Sequence, residues 1–523
     1  MLFAFFLSLF LSACNLAEST PIAVVQPTRP SVSIAQVATV PPQPTATRLI
    51  REIPTNTPAP ASTTPEPTRS PFECGVEVTG EQIQHTVDVS IDYAEKRAFV
   101  TQETRYRNET EVALEELVFD VEANDWNGAF GLENILLNGT ETFHSLDRNR
   151  MTVRLPSPLN PGCVATVQID FGLAIPRIGI DIRSARGFFG YSDRQMNLGF
   201  WLPTVVPRIN NQWVLHDPYS MGEQVVLEQA DWDVTLTIQN GDNMILAAPG
   251  IVEETGENHW HIVHNSARDF TMSMSPDFRV RRQTLSSGKQ VELYHFSDTE
   301  RSINGSTLDG ATHALDVASR AAEQYESLFG AYPYERILVI QGDFPDGMEF
   351  SGIVFVSTSW FYGFEGGVQN YLTLITVHEV AHQWWYAKVG NDSANEPWLD
   401  EAFSTYSEYI FYEEFYPAQR EWWWSFRVAW YNPLGAVDSS VYDFDLPRDY
   451  INGIYLRGAQ LLHNIREDIG TEEFFDFLAA YAQAENGKIG TSARFWSLLT
   501  EEQLEKTRDT REAFLSHSGV GDG

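Results

Sequence analysis

The sequence predicts a multidomain protein: a disordered N-terminal tether, an all-β sandwich or saddle, then an α+β domain that ends in helices. Three textures along its 523 residues carry this reading. Residues 14–71 hold twelve of the 27 prolines, interleaved with Thr, Ser and Ala and without an aromatic residue. Such a stretch cannot bury enough apolar area to offset the entropy of ordering it, so it reads as a semi-extended linker. From 72 to 283, apolar and polar residues alternate, as in Val87-Asp88-Val89-Ser90-Ile91 and Trp232-Asp233-Val234-Thr235-Leu236. Turn signals such as Asn138-Gly139, Pro161-Gly162 and Asn240-Gly241 separate these runs, and an antiparallel arrangement is expected. From 284 to 510 the texture changes. Strand-like pieces near 291–296, 337–341 and 353–357 surround a helical segment at 311–329. Helices follow over roughly 369–389, 397–415, 454–469 and 472–484, punctuated by Gly390, Pro397 and Gly470. Strands followed by helices fit an α+β domain, with 511–523 left as a flexible tail.

Apolar residues make up 43% of the chain, including 14 Trp and 32 Phe, enough for sizeable cores. The formal charge of −36 excludes a nucleic-acid binder, which needs a basic face to neutralise phosphates. Four Arg against three Glu leave the linker near neutral, so the folded body carries nearly all of that charge. A solvated acidic surface is the ordinary reading, with a mild attraction for cationic substrates as the alternative.

The three cysteines divide by position. Residues 1–13 are almost wholly apolar, too short to span a bilayer, and lead into Leu11-Ser12-Ala13-Cys14. These four residues resemble the lipobox of bacterial lipoproteins, although no Lys or Arg precedes the apolar run. The resemblance implies a cleaved lipoprotein signal peptide, acylation of Cys14, and an extracytoplasmic protein lipid-anchored to the bacterial cell membrane. An ordinary signal peptide is the alternative. More than one acyl chain makes anchoring stable, since each buried CH₂ adds roughly 0.8 kcal/mol. Cys74 and Cys163 would then sit in an oxidising compartment that permits a disulfide, and their spacing is not that of a metal site.

The chemistry centres on His378-Glu379-Val380-Ala381-His382. On a helix, positions i and i+4 share a face, so both imidazoles can reach one ion while Glu379 stays close enough to hold a water. A catalytic zinc takes three protein ligands and keeps one position open, and two His with a carboxylate form one such set. The motif alone also fits a helix with two structural histidines. After eighteen intervening residues comes Glu401, within Glu396-Pro397-Trp398-Leu399-Asp400-Glu401-Ala402-Phe403. Pro397 at a helix start puts Glu401 in the first turns of a second helix, which can fold back on the first.

H-E-x-x-H, eighteen residues, then E within W-L-x-E resembles the aminopeptidase N family of gluzincin metallopeptidases. The resemblance implies an N-terminal β domain followed by a thermolysin-like catalytic domain. It also implies one Zn2+ held by His378, His382 and Glu401, with peptides as substrates. Gly347-Met348-Glu349-Phe350 resembles the family's G-x-M-E-N motif, with Phe350 in place of Asn and Asp346 where Gly is usual. By that resemblance Glu349 binds the substrate's free amino terminus, beside Gly347 and Met348. Tyr455-Leu456-Arg457-Gly458 resembles Y-x-K-G, which implies that the Tyr455 hydroxyl stabilises the oxyanion. Glu379 is the expected general base. Glu408, two turns beyond Glu401, is a candidate acceptor for a ligand histidine, with a surface acid as the alternative.

No arginine- and proline-rich segment supplies the second amine-binding group of that family. The family's large C-terminal helical domain is expected to be absent, and a more open cleft is expected with it. The run Trp422-Trp423-Trp424 reads as core. Asp438, Asp443, Asp445 and Asp449 read as turn residues rather than a calcium loop. Two other readings compete: an endopeptidase or oligopeptidase on the same zinc site, and a surface binding protein with a retired peptidase fold.

Overall fold

The computed structural model describes residues 72–75, 79–179, 186–303 and 305–516. The expected signal peptide, Cys14 and the linker lie outside these residues, as does the chain from 517 onward.

The alternating runs of the first half become a nine-stranded sheet. Its order is Ile251–Gly256, His259–Ala267, Ala230–Gln239, Ile83–Asp92, Arg97–Arg107, Cys163–Ala174, Phe130–Leu137 and Thr140–Glu141, with Glu73–Cys74 beside Cys163–Ala174. In Ile83–Asp92 the side chains of Ile83, His85, Val87, Val89 and Ile91 are buried and the alternate positions are more open, the period of two read from the sequence. Asn138 and Gly139 both have positive φ (48° and 76°), as a two-residue hairpin turn requires. One pair departs from the expected antiparallel arrangement: Ile83–Asp92 and Ala230–Gln239 run parallel. Alternation fixes which face a side chain takes, not the direction of the neighbouring strand. Two four-stranded sheets and a two-stranded one complete this half, and the apolar residues of the four-stranded sheets join one core with Trp201, Trp232 and Phe270. Cys74 and Cys163 form a disulfide that pins the first strand to Cys163–Ala174.

Strand Arg279–Thr284 pairs with Gln290–His295, so the next sheet begins before the expected boundary at 284. An alternating strand looks the same from either sheet, and the pattern could not assign it. The five-stranded sheet runs Arg279–Thr284, Gln290–His295, Arg336–Gly342, Ile353–Ser357 and Gly347–Phe350. Its central strands are nearly continuous buried runs, as strands covered on both faces must be. Helix Gly310–Phe329 makes the crossover between two parallel strands. Asp309 caps it by accepting from the Thr312 N–H at 3.0 Å. Gly347–Phe350 pairs antiparallel with Ile353–Ser357 and forms the edge of the sheet.

Helix Tyr371–Ala381 starts at Asn370, whose side chain accepts from the Thr373 N–H at 2.9 Å, and it is buried from Leu372 to Ala381. It does not run on to 389 as its apolar pattern suggested. After His382 the chain widens into a π turn, Gln383–Lys388, in which the Ala387 N–H bonds the His382 carbonyl at 2.9 Å. Two carbonyls of that turn are taken by Arg268 of the β half. Its guanidinium donates to Tyr386 at 2.7 Å and Lys388 at 3.3 Å, and also to the carbonyls of Leu227 at 2.7 Å and Lys488 at 2.8 Å. Local periodicity carries no trace of so distant a donor.

Helix Trp398–Phe415 follows Pro397, and helix Arg457–Ile469 crosses it closely. A Cβ on Gly458 would lie 2.3 Å from the Ala402 Cβ, so glycine is required at that crossing. A second π turn, Ile451–Leu456, leads into the later helix. Helix Arg508–Phe514 runs past the expected end at 510. Arg511 is buried, and the Val437 N–H bonds the Phe514 carbonyl at 2.9 Å, so the tail expected from 511 is folded as far as the described residues reach. Both halves belong to one compact unit, Pro71–Gly523. No helix among the described residues is long and apolar enough to cross a membrane.

Candidate active site

His378 lies in the last turn of helix Tyr371–Ala381, and His382 closes that helix one turn later. Four residues on a helix return to one face, and the two ring centroids are 4.8 Å apart. Glu401, in the first turn of helix Trp398–Phe415, brings its Oε2 to 3.2 Å from His378 Nε2 and 3.6 Å from His382 Nε2. Each histidine is held from behind by a carboxylate. His378 Nδ1 lies 3.0 Å from Glu408 Oε1, and His382 Nδ1 lies 2.5 Å from Asp400 Oδ1. These partners favour the ring proton on Nδ1 and leave the Nε2 lone pairs facing Glu401.

The donor set fits a zinc ion. Two imidazole nitrogens and one carboxylate oxygen lie within 4.8 Å of one another, the three protein ligands of a catalytic zinc site. Charge points the same way. Burial pushes the Glu401 carboxyl well up, and Asp400 and Glu223 push it further, against relief from His382 and the Tyr455 hydroxyl. Glu379 is raised by burial and then by Glu349 and Glu401; Glu349 is raised by burial and by Glu223, Asp400 and Glu401, with His382 opposing. Acids crowded together in a buried cleft are relieved when a cation sits among them. Glu408 behaves differently. Burial pushes it up, but Arg427 and the His378 hydrogen bond more than offset this and hold it below the usual glutamate range. Arg427 donates to both its oxygens, at 2.9 and 3.0 Å, and Trp423 Nε1 donates at 3.1 Å.

Glu379 is buried, and its Oε2 has no hydrogen-bond partner among the described residues. Its carboxylate rests against the edge strand: a Cβ at position 347 would lie 2.1 Å from Glu379 Oε1, so any larger residue there would displace that carboxylate. Glu349, two residues along the same strand, is buried and shares that face. Its carboxylate forms one cluster with Glu379 and His382 and another with Glu223 and Glu401. Met348, expected beside the substrate, instead sends its side chain into the hydrophobic core. The period of two turns it away from the face shared by Gly347 and Glu349, so only its backbone faces the cleft. Tyr455 donates its hydroxyl to Glu401 Oε1, and its ring stacks on His378 at 5.9 Å. In the aromatic run, Trp423 is core, as expected. Asp438 and Asp443 accept hydrogen bonds from Ser516 and Ser440, as turn residues do.

Four residues of the cleft have no expectation from the sequence. Asp400 immediately precedes a ligand, and that position was the available signal. Tyr450 stands five residues before Tyr455; a π turn closes i on i+5, so the two rings meet at 5.7 Å. The Tyr450 hydroxyl is buried and has no hydrogen-bond partner among the described residues. Arg427 sits in an aromatic stretch that reads as packing. Glu223 comes from a loop of the β half with no periodic pattern to mark it, and burial raises its carboxyl against the pull of Arg186 and His382.

Residues 313–514 match the Peptidase family M1 domain. Aminopeptidase M1-B of Oryza sativa subsp. japonica is 25% identical over 251 residues, which are 42% of this chain and 28% of that protein. Aminopeptidase N of Lactococcus lactis subsp. lactis is 25% identical over 234 residues, 39% of this chain and 26% of that protein. The match therefore spans less than a third of the length of these curated relatives. Among solved structures, an M1 zinc metallopeptidase from Deinococcus radiodurans has a TM-score of 0.59 at 15% identity, covering 87% of this chain and 99% of that one. A variant of it bound to a Tyr-Ser-Ala substrate also scores 0.59, over 83% of this chain and 94% of that one, at 16% identity. Residues 313–514, which hold the triad, thus match the peptidase family M1 domain, in a chain that has the fold of the Deinococcus radiodurans M1 zinc metallopeptidase.

Proposed function

We propose that the protein is a zinc aminopeptidase that removes residues from the free amino terminus of peptides. One observation carries this: Glu349 and Glu223 place two further carboxylates beside Glu401, with oxygens within 4.8 Å of one another. They exceed what the metal needs and form a pocket for one more cation. A peptide's ammonium is such a cation, held at a fixed distance from its first peptide bond. The relatives named as aminopeptidases support the same reading.

His378, His382 and Glu401 would hold the zinc, which when bound would supply Lewis acidity toward the scissile carbonyl and a water. The chain's own residues do the rest. Glu379 takes a proton from the attacking water, and its unpartnered Oε2 is the oxygen available for it. The same carboxyl passes the proton to the leaving amine. The Tyr455 hydroxyl, with Tyr450 beside it, donates to the developing oxyanion. Glu349 and Glu223 fix the ammonium, so cleavage falls after the first residue.

Peptides with free amino termini should be hydrolysed roughly 10–100-fold faster in kcat/KM than their acetylated forms, the value of a hydrogen-bonded charge. Glu349→Ala should close that gap while zinc content stays stoichiometric. Equal cleavage of both peptides by the native protein would favour the endopeptidase reading.

We further propose that the enzyme works outside the cytoplasm on a lipid anchor at Cys14. Leu11-Ser12-Ala13-Cys14 supports the anchor, and the Cys74–Cys163 bridge supports an oxidising compartment. A fatty-acid analogue should label the native protein in cells and not Cys14→Ser; label on both would refute the anchor.

A further inference from the structure

Of Glu223, Glu349, Glu379 and Glu401, only Glu223 comes from chain that forms neither strand nor helix, residues 214–229. Backbone ladders place the other three; Glu223 has to be placed by other contacts. Gln224 braces the loop from within. Its Oε1 accepts from the Tyr219 N–H at 2.9 Å, and its Nε2 donates to the carbonyls of Met221 and Gly222, each at 2.9 Å. The Arg186 guanidinium also donates to the Tyr219 and Gly222 carbonyls, both at 3.3 Å. Residues 219–224 are therefore held as one unit.

Two tyrosines fasten that unit to the catalytic half, each bonding the other's segment. Tyr219 donates its hydroxyl to the Phe444 carbonyl at 2.8 Å, and Tyr442 donates its own to the Asp217 carbonyl at 2.7 Å. Their rings meet edge to face with centroids 5.3 Å apart. From this clasp, contacts lead to the metal triad. The Phe444 ring lies 5.6 Å from Tyr450, which lies 5.7 Å from Tyr455, the donor to Glu401. The loop backbone packs on the same tyrosine: a Cβ on Gly222, whose φ is 63°, would lie 2.8 Å from the Tyr450 hydroxyl oxygen. Farther back, His216 Nε2 lies 2.8 Å from Asp392 Oδ1. Glu223 thus meets Glu349 and Glu401 across a seam that the Tyr219–Tyr442 pair fastens.

We propose that Tyr219 and Tyr442 are positioning residues that set Glu223 against Glu349, and so determine how strictly the enzyme demands a free amino terminus. This rests on the reading of the two acids as the ammonium pocket. Glu349 arrives on the edge strand and Glu223 on the loop, so the pocket has both walls only while the seam is closed. A hydrogen bond to an ammonium weakens steeply as its geometry departs from the ideal, and a loop released by one or two hydroxyls would loosen that wall first. Metal binding is spared, because none of the three zinc ligands lies on the loop.

The test measures kcat/KM on Ala-Phe-Ala and its acetylated form for four zinc-loaded proteins: the native chain, the paired Tyr219→Phe and Tyr442→Phe variant, Glu223→Gln, and all three changes together. Phenylalanine keeps both rings and removes only the two hydroxyls. The ratio between the peptides cancels the amount of active protein, so a general loss of folding does not move it. The paired variant should lower the free-to-acetylated ratio about threefold to tenfold, the worth of one hydrogen bond, mainly through KM of the free peptide. In the Glu223→Gln background the same pair should lower it no further, since residues that act through one group are not additive. A ratio that the pair leaves unaltered, or lowers by the same factor in both backgrounds, overturns the proposal. If the native protein cleaves both peptides alike, the amine reading fails, and the clasp is judged on kcat/KM of the free peptide. A loss from the pair that vanishes in the Glu223→Gln background upholds it; an equal loss, or none, overturns it.

Discussion

Glu379→Gln is expected to bind zinc as the native protein does and to lose roughly 10²–10⁴-fold in kcat, the usual contribution of a general base. The substitution keeps the size of the side chain against Gly347, where there is no room for anything larger, and it leaves the three ligand atoms in place. What it removes is the oxygen that accepts a proton and returns it. An amide can hydrogen-bond to water but cannot carry its proton. Metal analysis and hydrolysis of an alanyl peptide on the same sample check both halves of the expectation. Full zinc with an unchanged kcat would remove Glu379 from the proton transfers. Loss of zinc would show that the cluster of Glu349, Glu379 and His382 also holds the metal.

Arg268→Ala is expected to produce a large loss of stability. Arg268 is 2% exposed and donates to the carbonyls of Leu227, Tyr386, Lys388 and Lys488. Its removal takes the donor from the Leu227 and Tyr386 carbonyls, while those of Lys388 and Lys488 keep the Gly487 and Gly390 N–H groups, and an unsatisfied buried group costs about 1–3 kcal/mol. These penalties do not add in full, so a net loss of roughly 3–5 kcal/mol is expected, comparable to breaking a buried charged pair. Zinc affinity should fall with it, because Tyr386 and Lys388 belong to the π turn that directly follows His382. Arg268→Lys, which reaches fewer carbonyls, should recover part of the loss. Denaturant unfolding with a change below about 1 kcal/mol, a small effect by the scale of point mutants, would show that the turn sustains itself.

The metal triad is legible in the sequence because its geometry is local. His378 and His382 are one helical turn apart, and Pro397 marks the start of the helix that carries Glu401, so periodicity alone nearly builds the site. Glu408 follows from the same logic, two turns beyond Glu401. The remaining parts depend on contacts that a linear pattern does not encode. Glu223 reaches the cleft from a loop of the other half, and the parallel pairing of Ile83–Asp92 with Ala230–Gln239 spans a long excursion of the chain. The apolar run after His382 reads as more α-helix, whereas the chain there forms a π turn whose carbonyls are satisfied by Arg268. Strand Arg279–Thr284 shows that a correct strand assignment still leaves its sheet undetermined. Met348 was placed beside the substrate by its motif, and the alternation of the strand carries it to the opposite side.

Glu223 and Arg268 belong to the β half, yet one completes the acid cluster and the other secures the turn behind His382. The stretch that matches the M1 family begins only at residue 313 and contains neither. The recognisable catalytic segment is therefore not a transplantable module. Exchange of the upstream sheets would remove one acid of the cluster and the donor to the turn behind His382, even with every metal ligand left in its place along the chain.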